Sequence, residues 1–587
     1  MKIHADYEII MTLFIVGTES MGMNKSRTSP AKQNLLLALG INAVLLGIFL
    51  CFLTPYYETN DDIFLSHFVD GSMAVRQSRM VYINAAVGAL LKGLYTLLPS
   101  APWYALLQYA MIFAGFTAMM WVMIERWERI PAIMLSVAVI SFFGLDAYIR
   151  LQYTKTAAVA TVFGLMLMVH ALSEAKGTKT RGLCMTLGTV LALLGGLYRD
   201  KQFLACGVVA CWMLLDNLIA ALKNSADAKV RLYAFFETVR PFILLLLLFG
   251  IFKAADRLVY SDGWKEYLDY NDARTQLTDF GGADYETHRE AYDELGISKT
   301  LSELINDWNF YDPDKLDTDT FLKLAALSKS NGDKAFSIKD FASGLLPRLV
   351  RYWCFAGLAL VVLVWLLAGK HCKSAWAAVL LSVFSCAALL LVTYTMGRAG
   401  MYRVDYGLIL AFAAVLLLFI PGRKISARRM AFCTVVTLIS AAVLFFAYMR
   451  YWGPSFAKET DTNHTPELQA LTALRDDGHL IFADISAVSM YSSESPLGEP
   501  VYGMSDKLIP LGGWTAEYPP VVHLMREYGV TNPYRDCIDN DDVYVLFYDI
   551  ELFMRYINET YAPSARAVQV EPLSSQTGLL IYSITAD

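Results

Sequence analysis

The sequence predicts an α-helical polytopic membrane protein with about eleven transmembrane helices, followed by a C-terminal extracytoplasmic α/β domain. Three observations lead there. Of the 587 residues, 56% are hydrophobic and only 18% charged, with a mean hydropathy of +0.41, whereas soluble domains average roughly 45–50% apolar and 25% charged. The apolar excess is gathered into runs of about twenty residues, the length that about 30 Å of hydrocarbon requires. The last stretch of chain abandons that pattern for short β-rich runs between polar segments.

The long runs fall at 34–53, 103–124, 132–148, 154–172, 183–198, 203–222, 241–255, 352–369, 374–395, 404–421 and 430–449. A further run, 82–98, carries Lys92 and ends at Pro99 and Pro102. A mid-span lysine costs about 2.5–3.5 kcal/mol on insertion scales, and charge parity gives an independent test. If 82–98 does not cross, one side of the membrane holds Arg126 and Arg129, Lys176, Lys179 and Arg181, Lys223, Lys229 and Arg231, Lys370 and Lys373, and Arg423, Lys424, Arg428 and Arg429. Positive residues stay cytoplasmic, so the N-terminus is expected inside, the C-terminus outside, and 82–98 in the outer interface.

The chain then divides into a cytoplasmic segment 1–33, a transmembrane region 34–256 with its first external loop at 54–102, an external helical loop 257–348, a second transmembrane region 349–450, and the extracytoplasmic domain 451–587. In that domain 479–484, 543–548 and 578–583 read as buried strands, with helices at 466–474 and 550–561. No cleavable signal is expected near the start: residues 9–17 are apolar but short, and Met23 opens a run that itself reads as a start.

Several function classes drop out. The net charge of -6, without a basic stripe, argues against nucleic acid. There is no P-loop, HExxH or GxSxG, and no cysteine or histidine spacing suited to zinc. Eight of the nine cysteines lie in or beside apolar runs, leaving Cys537 alone in the tail with no disulfide partner.

The sharpest feature for chemistry is Thr59-Asn60-Asp61-Asp62, just beyond the first span on the expected outer face. An arbitrary acidic pair is a solvated loop. This one sits at membrane depth and opens a loop that also holds Ser66, His67, Asp70, Arg76, Arg79 and Asn84. The second feature is six cations on three short outer turns, against the positive-inside trend: Arg150 and Lys155, Arg199 and Lys201, Arg398 and Arg403. One reading has them snorkel to headgroups or pair with Asp146, Asp200 and Asp405. The other has them hold a lipid phosphate, whose negative charge grows as it leaves.

The external loop adds Trp264, Tyr267, Tyr270, Asn271, Arg274 and Trp308. Aromatic faces with interleaved Asn and Arg suit a sugar or prenyl acceptor, or else anchor the loop to the membrane surface. Asp312-Pro-Asp314 with Asp317 and Asp319 lacks the EF-hand glycine and glutamate, and reads as a solvated turn.

An acidic pair just after the first span, an interfacial segment, many further spans and an external terminal domain together resemble the GT-C glycosyltransferases. The resemblance covers the architecture of the whole chain but a motif of two residues. It implies a GT-C-like fold in the cell membrane and a polyprenyl-phosphate-linked sugar as donor. The implied acceptor is an envelope glycan, lipid or protein. Asp61 or Asp62 would be the general base that takes the acceptor proton. In some members such an acid also holds a divalent metal, Mg or Mn, for which the spacing here makes no demand. A transporter or flippase of lipid-linked sugars is the alternative, hinted at by Gly195-Gly196 near a helix end. A non-catalytic scaffold presenting its external domain is another.

Overall fold

In a computed structural model, residues 30–586 are described except for 74, 281, 370, 399 and the segments 175–177, 224–226, 331–336, 422–426, 457–477, 486–494, 498–506 and 571–579. The expected helix at 466–474 lies outside the described residues. Among the described residues, nine helices are long and apolar enough to cross a membrane. In chain order they include α1 (Pro30–Phe52), α4 (Trp103–Arg126), α5 (Arg129–Ile149), α6 (Tyr153–Ser173), α7 (Lys179–Tyr198), α8 (Asp200–Lys223) and α9 (Ala228–Leu258). The other two are α16 (Lys373–Thr395) and α18 (Ala427–Phe456), whose apolar part begins at Ala431.

The two remaining expected spans are also helical. Trp353–Leu367 (α15) meets Ile338–Arg351 (α14) at 87°. Tyr402–Leu418 (α17) has only 17 residues but is buried almost throughout. The doubtful segment forms α3 (Ala85–Leu97). Thirteen residues at 1.5 Å each give about 20 Å, short of a bilayer.

Close backbone approach organises the centre of the bundle. A Cβ on Gly164 would lie 2.6 Å from Ala192 N, and one on Gly195 would lie 2.7 Å from Ala157 O. Small residues let α6 and α7 touch backbone to backbone, as membrane helices without a hydrophobic drive require. Gly195-Gly196 thus has a packing role and does not mark a broken helix. A π-turn at Ile140–Gly144 lets α5 carry Phe142 and Phe143 into this core.

Between α9 and α14 the external loop folds into α10 (Asp262–Thr278), α11 (Arg289–Glu294), α12 (Lys299–Asn306) and α13 (Thr318–Ser330). The short helix α2 (Asn60–Asp70) precedes α3 in the first external loop. In the tail, β3 (Leu480–Ala483), β4 (Leu508–Pro510), β5 (Val543–Leu546), β6 (Arg566–Gln569) and β7 (Ile581–Thr585) form one sheet in the order β4-β3-β5-β7-β6. The first three are mutually parallel and the last two antiparallel. Helices α19 (Pro519–Glu527), α20 (Pro533–Asp536) and α21 (Ile550–Thr560) complete the domain.

The external loop and the tail pack as one body. Phe310 N and Tyr311 N both donate to Leu511 O, at 2.7 and 2.9 Å. Asp312, expected in a solvated turn, is buried and accepts from Asn532, Tyr556 and Tyr561. Trp264 and Tyr267 contact Tyr518 with ring centroids 5.1 and 5.3 Å apart. These aromatic rings fill a protein interface and do not anchor the loop to lipid.

Candidate active site

The site is built on a short parallel bridge between β1 (Tyr56–Tyr57) and β2 (Arg150–Leu151). Glu58 N extends it by donating to Leu151 O at 2.9 Å. The bridge ties the chain leaving α1 to the turn between α5 and α6, so α2 starts from a fixed point. Asp61 and Asp62 sit in its first turn, where the helix dipole favours negative charge.

The two aspartates face different surroundings. Asp62 is fully buried. Its Oδ1 accepts from Tyr104 Oη (2.9 Å), Gln108 Nε2 (3.2 Å) and Tyr153 N (3.0 Å), which binds the start of α2 to α4 and α6. Burial pushes its carboxyl up to about 7, against the pull of the Tyr104, Gln108 and Tyr153 donors. Asp61 is half-buried on the wall of a cavity of about 970 Å³. Its Oδ1 accepts the indole N–H of Trp514, 3.0 Å away.

The Asp62 shift has a stability consequence with a definite sign. Its folded-state value lies above the ordinary 3.8, so the folded chain binds more protons than the unfolded one between about pH 4 and 7. Stability from this group is present at low pH and is lost as pH rises through that window. Asparagine keeps an acceptor for the three donors without the charge. Melting of detergent-solubilised protein should therefore place Asp62→Asn above wild type by a margin that widens from pH 4 to pH 8, at most about 4 kcal/mol for a shift of about three units.

Of the six outer-turn cations, two belong elsewhere. Arg150 and Lys155 do not line the cavity. They form a buried quartet with Glu58 and Asp146: Arg150 lies 3.0 Å from Asp146 and 3.6 Å from Glu58, and Lys155 lies 2.6 Å from Glu58 and 3.3 Å from Asp146. Burial opposes the Glu58 charge, but Arg150 and Lys155 outweigh it and hold the carboxyl below its usual range. Two cations and two carboxylates cancel, so the quartet is a brace for the β1–β2 bridge.

The other four line the cavity, as do Asn271 and Arg274. Lys201 is exposed at the rim. Arg274 and Arg398 share Asp279, at 3.4 and 2.6 Å, and Arg274 also donates to Asn271 Oδ1 at 2.6 Å. Arg199 and Arg403 differ from these. Among the described residues neither has a carboxylate partner within ion-pair distance, yet both are half-buried. The Arg199 guanidinium lies 4.7 Å from the Tyr82 ring centroid and 5.4 Å from that of Tyr153, on two rings that stack with centroids 5.8 Å apart. Both arginines feel the charge of Asp61. Asp61 thus faces two guanidiniums that lack a carboxylate partner, in a cavity that Asp200, Asp256, Asp269, Asp272 and Asp279 also line.

The cavity lies where α7, α8, α9 and α17 end or begin, between the bundle and the external body. Sequence reading missed its far wall, Gly512-Gly513-Trp514-Thr515. The only signal was a double glycine beside a tryptophan, 453 residues from Asp61. Among the described residues no three His, Cys, Asp or Glu side chains are grouped as metal ligands, and the charges facing Asp61 include two guanidiniums.

No protein-family model matches the chain, and no curated protein matches it by sequence. Among solved structures it is similar to ArnT from Cupriavidus metallidurans bound to undecaprenyl phosphate, at 12% identity and a TM-score of 0.36, over 93% of this chain and 97% of that one. It is also similar to the Archaeoglobus fulgidus oligosaccharyltransferase in the apo form, at 11% identity and a TM-score of 0.41, over 84% of this chain and 65% of that one. Another is the archaeal oligosaccharyltransferase AglB from Archaeoglobus fulgidus in complex with an inhibitory peptide and a dolichol-phosphate, at 12% and 0.40, over 90% and 71%. Overlaps this loose carry no argument about a reaction.

Proposed function

We propose that this protein is a membrane glycosyltransferase that moves a sugar from a polyprenyl-phosphate-linked donor to a cell-envelope acceptor on the outer face of the membrane. The observation that carries the reading is Asp61 set opposite Arg199 and Arg403 in a cavity at the ends of the membrane helices. That is headgroup depth, where a lipid keeps its phosphate.

The charges suit such a transfer at both ends. Before reaction, Asp61, Arg199 and Arg403 together carry +1, beside a phosphodiester donor of charge -1. Asp61 then takes the proton of the acceptor hydroxyl as its oxygen attacks the anomeric carbon. The bond from that carbon to the phosphate oxygen breaks, and its electron pair stays on the phosphate. Asp61 is now neutral, the guanidiniums sum to +2, and the departing phosphomonoester tends toward -2. Charge that develops on the leaving oxygen meets donors already in place, which is where electrostatic catalysis acts.

The basic residues at the opposite ends of the helices, among them Arg126, Arg129, Lys179, Arg181, Lys223, Lys229 and Arg231, support the outer face for this reading. Deleting the gene in its native host and profiling envelope glycans and lipid-linked sugars by mass spectrometry tests the reading. Loss of one sugar from a glycan, with its lipid-linked donor accumulating, is expected. Unchanged profiles would remove the reading.

A further inference from the structure

We infer that Trp514 is a positioning residue through which the external domain holds the catalytic carboxylate. This rests on the reading of Asp61 as the base. The indole N–H donates to Asp61 Oδ1 at 3.0 Å, and indole can donate but not accept. It therefore cannot take the proton that Asp61 removes. What it can do is fix the rotation of the carboxylate and leave Oδ2 as the oxygen that meets the acceptor.

The contact is held from several sides. Trp514 is buried among Phe64, Phe68, Tyr82 and Tyr518, with centroids 6.1, 5.7, 6.0 and 5.5 Å away. Its carbonyl accepts from Tyr267 Oη at 2.6 Å, which ties it to α10 of the external loop. The turn before it admits only glycine. A Cβ on Gly512 would lie 1.6 Å from Trp308 O, and Gly513 has φ +70. Such a path brings one donor to one oxygen, on a helix whose start is itself pinned by Asp62. Phe64 and Phe68 belong to α2 as well, so the loop grips the helix that carries the base and not only its side chain.

The test uses purified full-length protein and the polyprenyl-phosphate-linked sugar extracted from the deletion strain. Trp514→Phe keeps the aromatic packing and removes the N–H. A hydrogen bond to a charged group sets the scale, so kcat should fall about tenfold or more, with KM for the donor within about twofold and melting within a few degrees of wild type. A folded Trp514→Phe enzyme with wild-type kcat overturns the inference. If that variant does not accumulate in the membrane, Tyr267→Phe unhooks the loop while leaving indole and aspartate in place. A lower kcat at constant KM then supports the role, and a wild-type kcat overturns it. Asp61→Asn run beside them separates the two levels. Full activity in Asp61→Asn removes the base itself, whereas an inactive Asp61→Asn beside a fully active Trp514→Phe removes only the part given to Trp514.

Discussion

Asp61→Asn should lower the kcat of sugar transfer by about 10²–10⁴-fold, the usual contribution of a general base. Asparagine is nearly isosteric and can still accept the Trp514 N–H, so the fold and the packing of α2 are retained. Only the capacity to take a proton is lost. KM for the donor should fall slightly if it moves at all, because the two guanidiniums then face one negative charge fewer. The measurement is steady-state turnover at saturating lipid-linked donor, with membrane content of each variant matched by immunoblot. An Asp61→Asn protein with wild-type turnover would move the base to another cavity carboxylate, of which Asp200, Asp256, Asp269, Asp272 and Asp279 line the wall, since Asp62 is buried and held by four donors.

The second large effect belongs to Arg199 and Arg403. Neutralising either one removes a fixed positive charge from the position where leaving-group charge develops. Loss of one such donor costs about 10²–10³ in kcat in well-studied sites, so Arg199→Gln and Arg403→Gln should each fall in that range. Arg199→Lys should not restore activity, because the guanidinium lies over the Tyr82 and Tyr153 rings and an ammonium lacks its fork of donors. Arg150→Gln should behave differently. It breaks a buried quartet away from the cavity, so the loss should appear first as poor accumulation in the membrane. Comparing specific activity with protein yield for the three positions separates the two kinds of residue.

Much of the fold was legible because lipid imposes a simple rule. A segment of about twenty apolar residues has few other uses, and each of the eleven runs is helical. Lys92 and two prolines were enough to mark 82–98 as something shorter. Asp61 could be found for a similar reason, since an acidic pair so close to a span is costly without a purpose.

The failures share another cause. Arg150, Lys155 and Arg199 look alike in sequence, each a cation on a short turn. What divides them is Glu58, which reads as an ordinary loop glutamate until the β1–β2 bridge brings it to Lys155. Trp264 and Tyr267 looked like membrane anchors because their partner, Tyr518, lies some 250 residues downstream and carries no local signal. Asp312 looked solvated because its three donors come from 532, 556 and 561. In the tail, β4 was missed because three residues are too few to show a period, and β6 because it is an edge strand whose residues are mostly exposed. Pairings across hundreds of residues are written in no window of the chain.

The interlock of Gly512 with Trp308 also governs when the protein becomes competent during its manufacture. Ribosomes finish the membrane helices well before they reach residue 515, so a nascent chain can be inserted while its cavity still lacks a wall. Completion waits for the tail to be made, to fold, and to close on a loop already in place. A chain stalled or clipped ahead of that point would occupy the bilayer without the far wall of its cavity, and on the proposed function could not transfer a sugar.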